Sequence, residues 1–201
     1  MLGDRTAGCV VRATAVRVLG GMGLAASAAA LVVGVASAKP TGSMLPLKAR
    51  VLHAGDFLGL KPQNPVAVIR SPELWTAKEP PGALFDAALL RKDGFAGGIF
   101  EDLRWRARDT EGLSMVVQLG SPAAARKYLT IYNGVGDTAP FPVSGIPGAR
   151  GFGDQGGINV VFADGDYAYL VGAGWNGSTH TVTKAQLLAA AKLLYHRVHG
   201  H

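Results

Sequence analysis

The chain has 201 residues, with 20 Lys or Arg against 14 Asp or Glu and a formal net charge of +6. The basic residues are scattered, so the excess fits weak attraction to anionic surfaces such as lipid or wall polymers; it is no footprint of nucleic-acid binding. Cys9 is the sole cysteine, which excludes disulfides, thiol nucleophiles and thiolate-bound metals from everything downstream.

Residues 1–38 read as an export signal. Arg5, Arg12 and Arg17 outweigh Asp4, and the 21 residues Val18–Ala38 carry no charge. Ala36-Ser37-Ala38 closes the run ahead of Lys39-Pro40. Basic start, apolar middle and small-x-small exit are the three parts of a secretory signal. An uncleaved anchor is the alternative, because a spanning helix needs about 20 apolar residues. Gly20, Gly21, Gly23 and Gly34 make the run weakly hydrophobic and favour cleavage after Ala38. Cys9 precedes the apolar run, which argues against a lipid anchor. Three bases and one acid lie in residues 1–38, so the remaining 163 residues carry a net charge of +4. That length suits one domain with its own core. The abundance of Ala, Gly, Val and Arg points to a GC-rich bacterial source.

Residues 39–50 are expected to be a tether and 51–201 a single domain. Val66-Ala67-Val68-Ile69 predicts a strand. Ser71-Pro72-Glu73 opens a helical turn, with Ser71 as cap and Pro72 at its first position. A helix over about 83–92 ends at Gly94. Apolar and basic residues alternate strictly through Leu103–Arg108, and Leu113, Met115, Val117 and Leu119 alternate after the turn at 109–112. This predicts an antiparallel hairpin. Ser121-Pro122 starts a helix that ends at Asn133-Gly134, and residues 135–157 form a long Gly/Pro-rich loop. Asp164-Gly165 turns a second hairpin, Ile158–Ala163 with Tyr167–Val171. Thr183 and Gln186 have capping-box spacing at the head of the last helix. The expected fold is α+β: an antiparallel sheet built from two helix–hairpin units, with helices packed on one face and a C-terminal helix.

Several motifs carry no chemistry. Gly151–Gly156 and Gly172–Gly177 match G-x-G-x-x-G, but neither opens a helix, and Asp166 is the last acid of the chain. Asn176-Gly177-Ser178 reads as a polar turn. His196, His199 and His201 sit at a chain end with no fixed geometry. Glu101 and Asp102 are adjacent, so in a strand they point to opposite faces and make a poor acid–base dyad. No catalytic residue, metal ligand or cofactor site emerges.

Two features remain as candidate ligand-binding elements. Arg104, Arg106 and Arg108 fall on one side of a strand, about 6.5 Å apart, a row suited to carboxylate or phosphate. Phe141, Ile146 and Phe152 lie in the long loop, which would form a lip over a groove with Trp175 as an aromatic wall.

The run Ile146–Phe152, together with Asn159–Gly165 and Tyr167–Gly172, resembles a family of uncharacterised exported proteins from actinobacteria, over most of residues 47–198. The resemblance implies export and assigns no activity. The order of elements is also similar, in shape alone, to extracytoplasmic sensor-type domains of actinobacterial lipoproteins.

The resulting expectation is a non-enzymatic, extracytoplasmic binding module at the cell envelope. Its partner would be a lipid, a wall component or another envelope protein, with membrane contact only through residues 18–38 if they are retained. The alternatives are a hydrolase-type enzyme, with His53 and Asp56 as its starting point, and a structural surface protein. N-terminal sequencing of the protein recovered from its host is expected to read Lys39-Pro40; finding Met1 or Leu2 would overturn cleavage after Ala38.

Overall fold

Side chains alternate across a strand, so a continuous apolar run such as Met115-Val116-Val117 needs cover on both sides of the sheet. The computed structural model supplies that cover. It describes residues 45–53, 55–57, 60–63, 66–78, 86–105, 110–132, 139–153, 156–175 and 182–199. A 3-10 turn, Leu47–Arg50, is followed by β1 (Lys61–Pro62), α1 (Pro72–Thr76), α2 (Ala87–Lys92), β2 (Gly97–Trp105) and β3 (Thr110–Gln118). Then come α3 (Pro122–Tyr132), β4 (Ala139–Pro142), β5 (Arg150–Gly153), β6 (Gly157–Asp164), β7 (Tyr167–Trp175) and α4 (Lys184–His199). The fold is α+β, with one seven-stranded antiparallel sheet in the order β1-β2-β3-β7-β6-β5-β4.

Each face has its own core. On one side, Val116, Val160, Phe162, Tyr169 and Val171 pack against Leu187, Ala191, Leu194 and Val198 of α4. The N-terminal segment joins them there through Val51, Leu52, Phe57 and Leu60. On the other side, Met115, Val117, Val161, Ala168 and Leu170 pack against Ala125, Tyr128 and Leu129 of α3. Trp75 of α1 completes this second core, stacked on Phe100 at 4.2 Å and donating from Nε1 to the Tyr128 hydroxyl at 3.0 Å.

Helices therefore cover both faces, not one as expected. The hairpins β2–β3 and β6–β7 form, and they meet through the antiparallel β3–β7 pair. The helices that precede the two hairpins, α2 and α3, both pack into the Trp75 core, while the C-terminal α4 covers the other face. The expected loop at 135–157 also differs, because β4 and β5 occupy much of it and extend the sheet past β6. Val66–Ile69 is not a strand; only Ile69 makes a bridge, to Gly98. Residues 45–50 belong to the domain, since Arg50 is fully buried.

The helix starts follow the sequence closely. Ser71 Oγ accepts from Leu74 N at 3.3 Å, and Ser121 Oγ from Ala124 N at 3.1 Å. Thr183 and Gln186 bond reciprocally at 2.8 and 3.3 Å, so the capping box forms. The α2 helix is described from Ala87, with Asp86 as its cap. Among the described residues no helix is long and apolar enough to cross a membrane; the apolar run 18–38 lies outside them.

The Trp75 ring lies flat over Gly98, where an added Cβ would fall inside the indole. Overpacking of this kind costs about 1–3 kcal/mol. Gly98→Ala is expected to lower the unfolding free energy by that margin, read as a lower urea midpoint with an unchanged slope of the transition.

Candidate functional site

The polar groups with the strongest physical constraints lie under the N-terminal segment. Residues 45–53, 55–57 and 60–63 form a strap across β2 and β3, on the α4 side of the sheet. Leu52 N donates to Ser114 Oγ at 2.9 Å, and Gln63 N to the Asp102 carbonyl at 2.9 Å. From α4, Arg197 reaches the Val51 carbonyl at 3.0 Å and the Asp56 carboxylate at 2.6 Å. Helix and strap therefore hold each other.

Arg50 is the anchor of this arrangement. Its Nε donates to the Leu45 carbonyl at 3.0 Å and its NH1 to the Tyr169 hydroxyl at 2.7 Å. The guanidinium lies 3.7 Å from the centre of the Tyr167 ring. A buried cation is costly unless its donors are satisfied, and a flat guanidinium suits both hydrogen bonding and an aromatic face. Burial pushes the Tyr169 phenol well above the usual tyrosine range, and the Arg50 charge and hydrogen bond offset part of that rise. At neutral pH the pair is thus a cation beside a neutral phenol.

Glu101 lies on the same face of β2, opposite Ser114, and is 2% exposed. Its Oε1 has no hydrogen-bond partner among the described residues. Burial, followed by the neighbouring Asp102, raises its carboxyl above the usual range. Asp102 itself points to the opposite face and is exposed, as strand alternation requires.

The candidates chosen from sequence are dispersed. Arg104 sits on the α3 side, where it pairs with Glu111 at 2.7 Å; both are more than half exposed. Arg106 and Arg108 fall outside the described residues. Phe141 faces the opposite side, over Gly151, with Lys184 Nζ 4.0 Å from its ring centre. Ile146 is buried in the α4 core and Phe152 in the α3 core, so the two lie on opposite sides of the sheet. Arg104 and Phe141 are separated by the strands between β2 and β4, and the structure does not bring them together.

Of Trp175 only the backbone is described. It pairs with Thr110, which in turn pairs with Trp105. Beside that row lies another, Arg104–Glu111–Gly174. One end of the β2–β3–β7 group therefore carries two tryptophan positions next to an Arg–Glu pair.

The other sequence motifs resolve into structural roles. His53 and Asp56 meet through the His53 backbone N–H, which donates to Asp56 Oδ2 at 2.7 Å, and that carboxylate also receives Arg197. The α4 helix continues through His199, whose Nδ1 lies 2.8 Å from Asp164 Oδ1 while its ring stacks on Tyr195. His201 lies outside the described residues, and no metal-binding cluster occurs among the described ones. Both glycine motifs begin on strands, β5 and β7. A shallow depression at the start of α3 contains Asp93, which binds Lys127 Nζ at 2.7 and 2.9 Å.

Sequence reading missed Arg50 and Trp105. Nothing local marks Arg50, since its partner Tyr169 lies 119 residues away. Trp105 was visible as an apolar position of the alternating run, but its pairing with Trp175 through Thr110 depends on the β3–β7 register.

No family model matches the chain, and no curated protein matches it. Among solved structures the chain is similar to the extracellular domain of PknH from Mycobacterium tuberculosis, with a TM-score of 0.48 and 16% identity. That similarity covers 77% of this chain and 95% of that one. It assigns no site.

Tyr169→Phe removes one acceptor from a fully buried guanidinium. Leaving such a donor unsatisfied costs about 1–3 kcal/mol. The variant is expected to lose stability on that scale in equilibrium denaturation, whereas Arg104→Ala, which breaks an exposed pair, is expected to change it by less than about 1 kcal/mol.

Proposed function

We propose that the chain is an exported α+β module that binds a ligand or protein partner at the cell envelope without transforming it. Export rests on the basic start, uncharged run and small-x-small exit of residues 1–38. The binding surface is the end of the sheet where β2, β3 and β7 finish together. One observation carries this choice: the register Trp105–Thr110–Trp175 beside Arg104–Glu111–Gly174. Tryptophan and arginine are the residue types most often found to dominate binding energy. Arg106 and Arg108, the rest of the arginine row expected from sequence, lie outside the described residues. Phe141, Ile146 and Phe152 serve the fold in this reading.

Support for binding over catalysis comes from what the acids do. Asp56 joins Arg197, Asp93 joins Lys127 and Asp164 joins His199, so each fixes one element to another. The candidate partners are a lipid, a wall component or another envelope protein, all compatible with a net positive domain.

Native mass spectrometry of the protein purified from its own host tests the reading. A retained adduct is expected on the wild-type chain, and it should be lost from a Trp105→Ala, Trp175→Ala double variant that keeps its fold. An adduct unaffected by both substitutions would remove this end of the sheet from consideration. A product released from the adduct on incubation would overturn the non-catalytic reading.

A further inference from the structure

Glu101 is a carboxyl placed where a carboxylate is costly, and neither the fold nor the proposed binding surface uses it. It is 2% exposed, its Oε1 has no hydrogen-bond partner among the described residues, and the strap passes over its register partner Ser114. Ser114 Oγ already accepts from Leu52.

The charged groups on the surrounding elements do not compensate it. On β2 the neighbour that acts on it is Asp102, of like charge. From the 3-10 turn, Arg50 directs its guanidinium to Leu45, Tyr167 and Tyr169, and Lys48 is exposed. On β1, Lys61 is exposed and stands opposite Arg104. On β3, Glu111 pairs with Arg104 on the far face. From α4, Arg197 is held by Val51 and Asp56.

We propose that Glu101 is a proton-operated latch: as a neutral acid it lets the strap close over β2 and β3, and its ionisation loosens the strap. Burial of the carboxyl and the orphaned Oε1 are what give the latch its sensitivity. With the strap closed, burial and then Asp102 hold the carboxyl above its ordinary 4.5. When the strap lifts, water returns and the carboxyl reverts toward that ordinary value. The closed state therefore binds more protons than the lifted one, and raising the pH favours lifting. The latch is tightest below the ordinary value and weakens as pH rises through the raised one.

Hydrogen exchange on the full chain tests this, read at the Leu52 amide because its N–H is bonded to Ser114. After correction for base catalysis of exchange, wild-type protection at Leu52 should fall by at most about tenfold per pH unit above the ordinary value, then level off. Glu101→Gln keeps the shape and removes the charge, so it should stay protected with no such slope. A slope retained in Glu101→Gln overturns the latch, as does wild-type protection that does not vary with pH. Should Glu101→Gln fail to fold, the side-chain carbon resonance of wild-type Glu101 decides. A titration midpoint above the ordinary value supports the latch, and one at or below it overturns it.

Discussion

The fold depends on covering the β3–β7–β6 strands on both sides. Met115, Val116 and Val117 alternate between the two cores, as do Val160, Val161 and Phe162 on β6 and Tyr169, Leu170 and Val171 on β7. Burying an aliphatic side chain of this size is worth about 1.5–3 kcal/mol, so neither face can be left to water. α4 and the strap satisfy one side; α1 and α3 satisfy the other. The close approach of Trp75 to Gly98 follows from the same demand, because the indole reaches the sheet only where no side chain intervenes.

The two covers are built differently. On the α3 side the interface is mostly apolar and includes the indole-to-phenol hydrogen bond. On the α4 side a helix and an irregular segment share the work, and irregular backbone needs polar partners when buried. Ser114, Arg197 and Arg50 supply them. Residues more than a hundred positions apart are thereby tied, so the start of the domain and its last helix depend on each other for order. Glu101 lies in the same layer, buried and with its Oε1 unpartnered among the described residues.

Local features were legible in the sequence and non-local ones were not. Ser71, Ser121 and the Thr183–Gln186 pair announced their helices because a cap involves neighbours only. The β6–β7 turn was equally visible, with Gly165 at a φ of +58. Two strands escaped notice behind Pro140, Pro142, Gly151 and Gly153, residues that normally punctuate strands and here lie at or next to an edge. The covering of both faces was written in the unbroken runs 115–117 and 160–162, but alternation was the stronger pattern in β3 and hid it. For the candidate site, strand geometry separated Glu101 from Asp102 correctly. Which strands stand side by side, and so which tryptophans share an end, is a matter of register between β3 and β7 that no single segment contains.

The edges of the sheet carry a further consequence. One edge is β1, two residues long and ending in Pro62; the other is β4, with Pro140 and Pro142. A proline offers no N–H to an incoming strand, and short or proline-bearing edges are how sheets avoid being extended. Edges of this kind disfavour growth by strand donation from another copy, which matters for a domain that has no disulfide to hold it together. A partner of the proposed kind would then approach through side chains at a strand end or through a helix face, and not by completing the sheet.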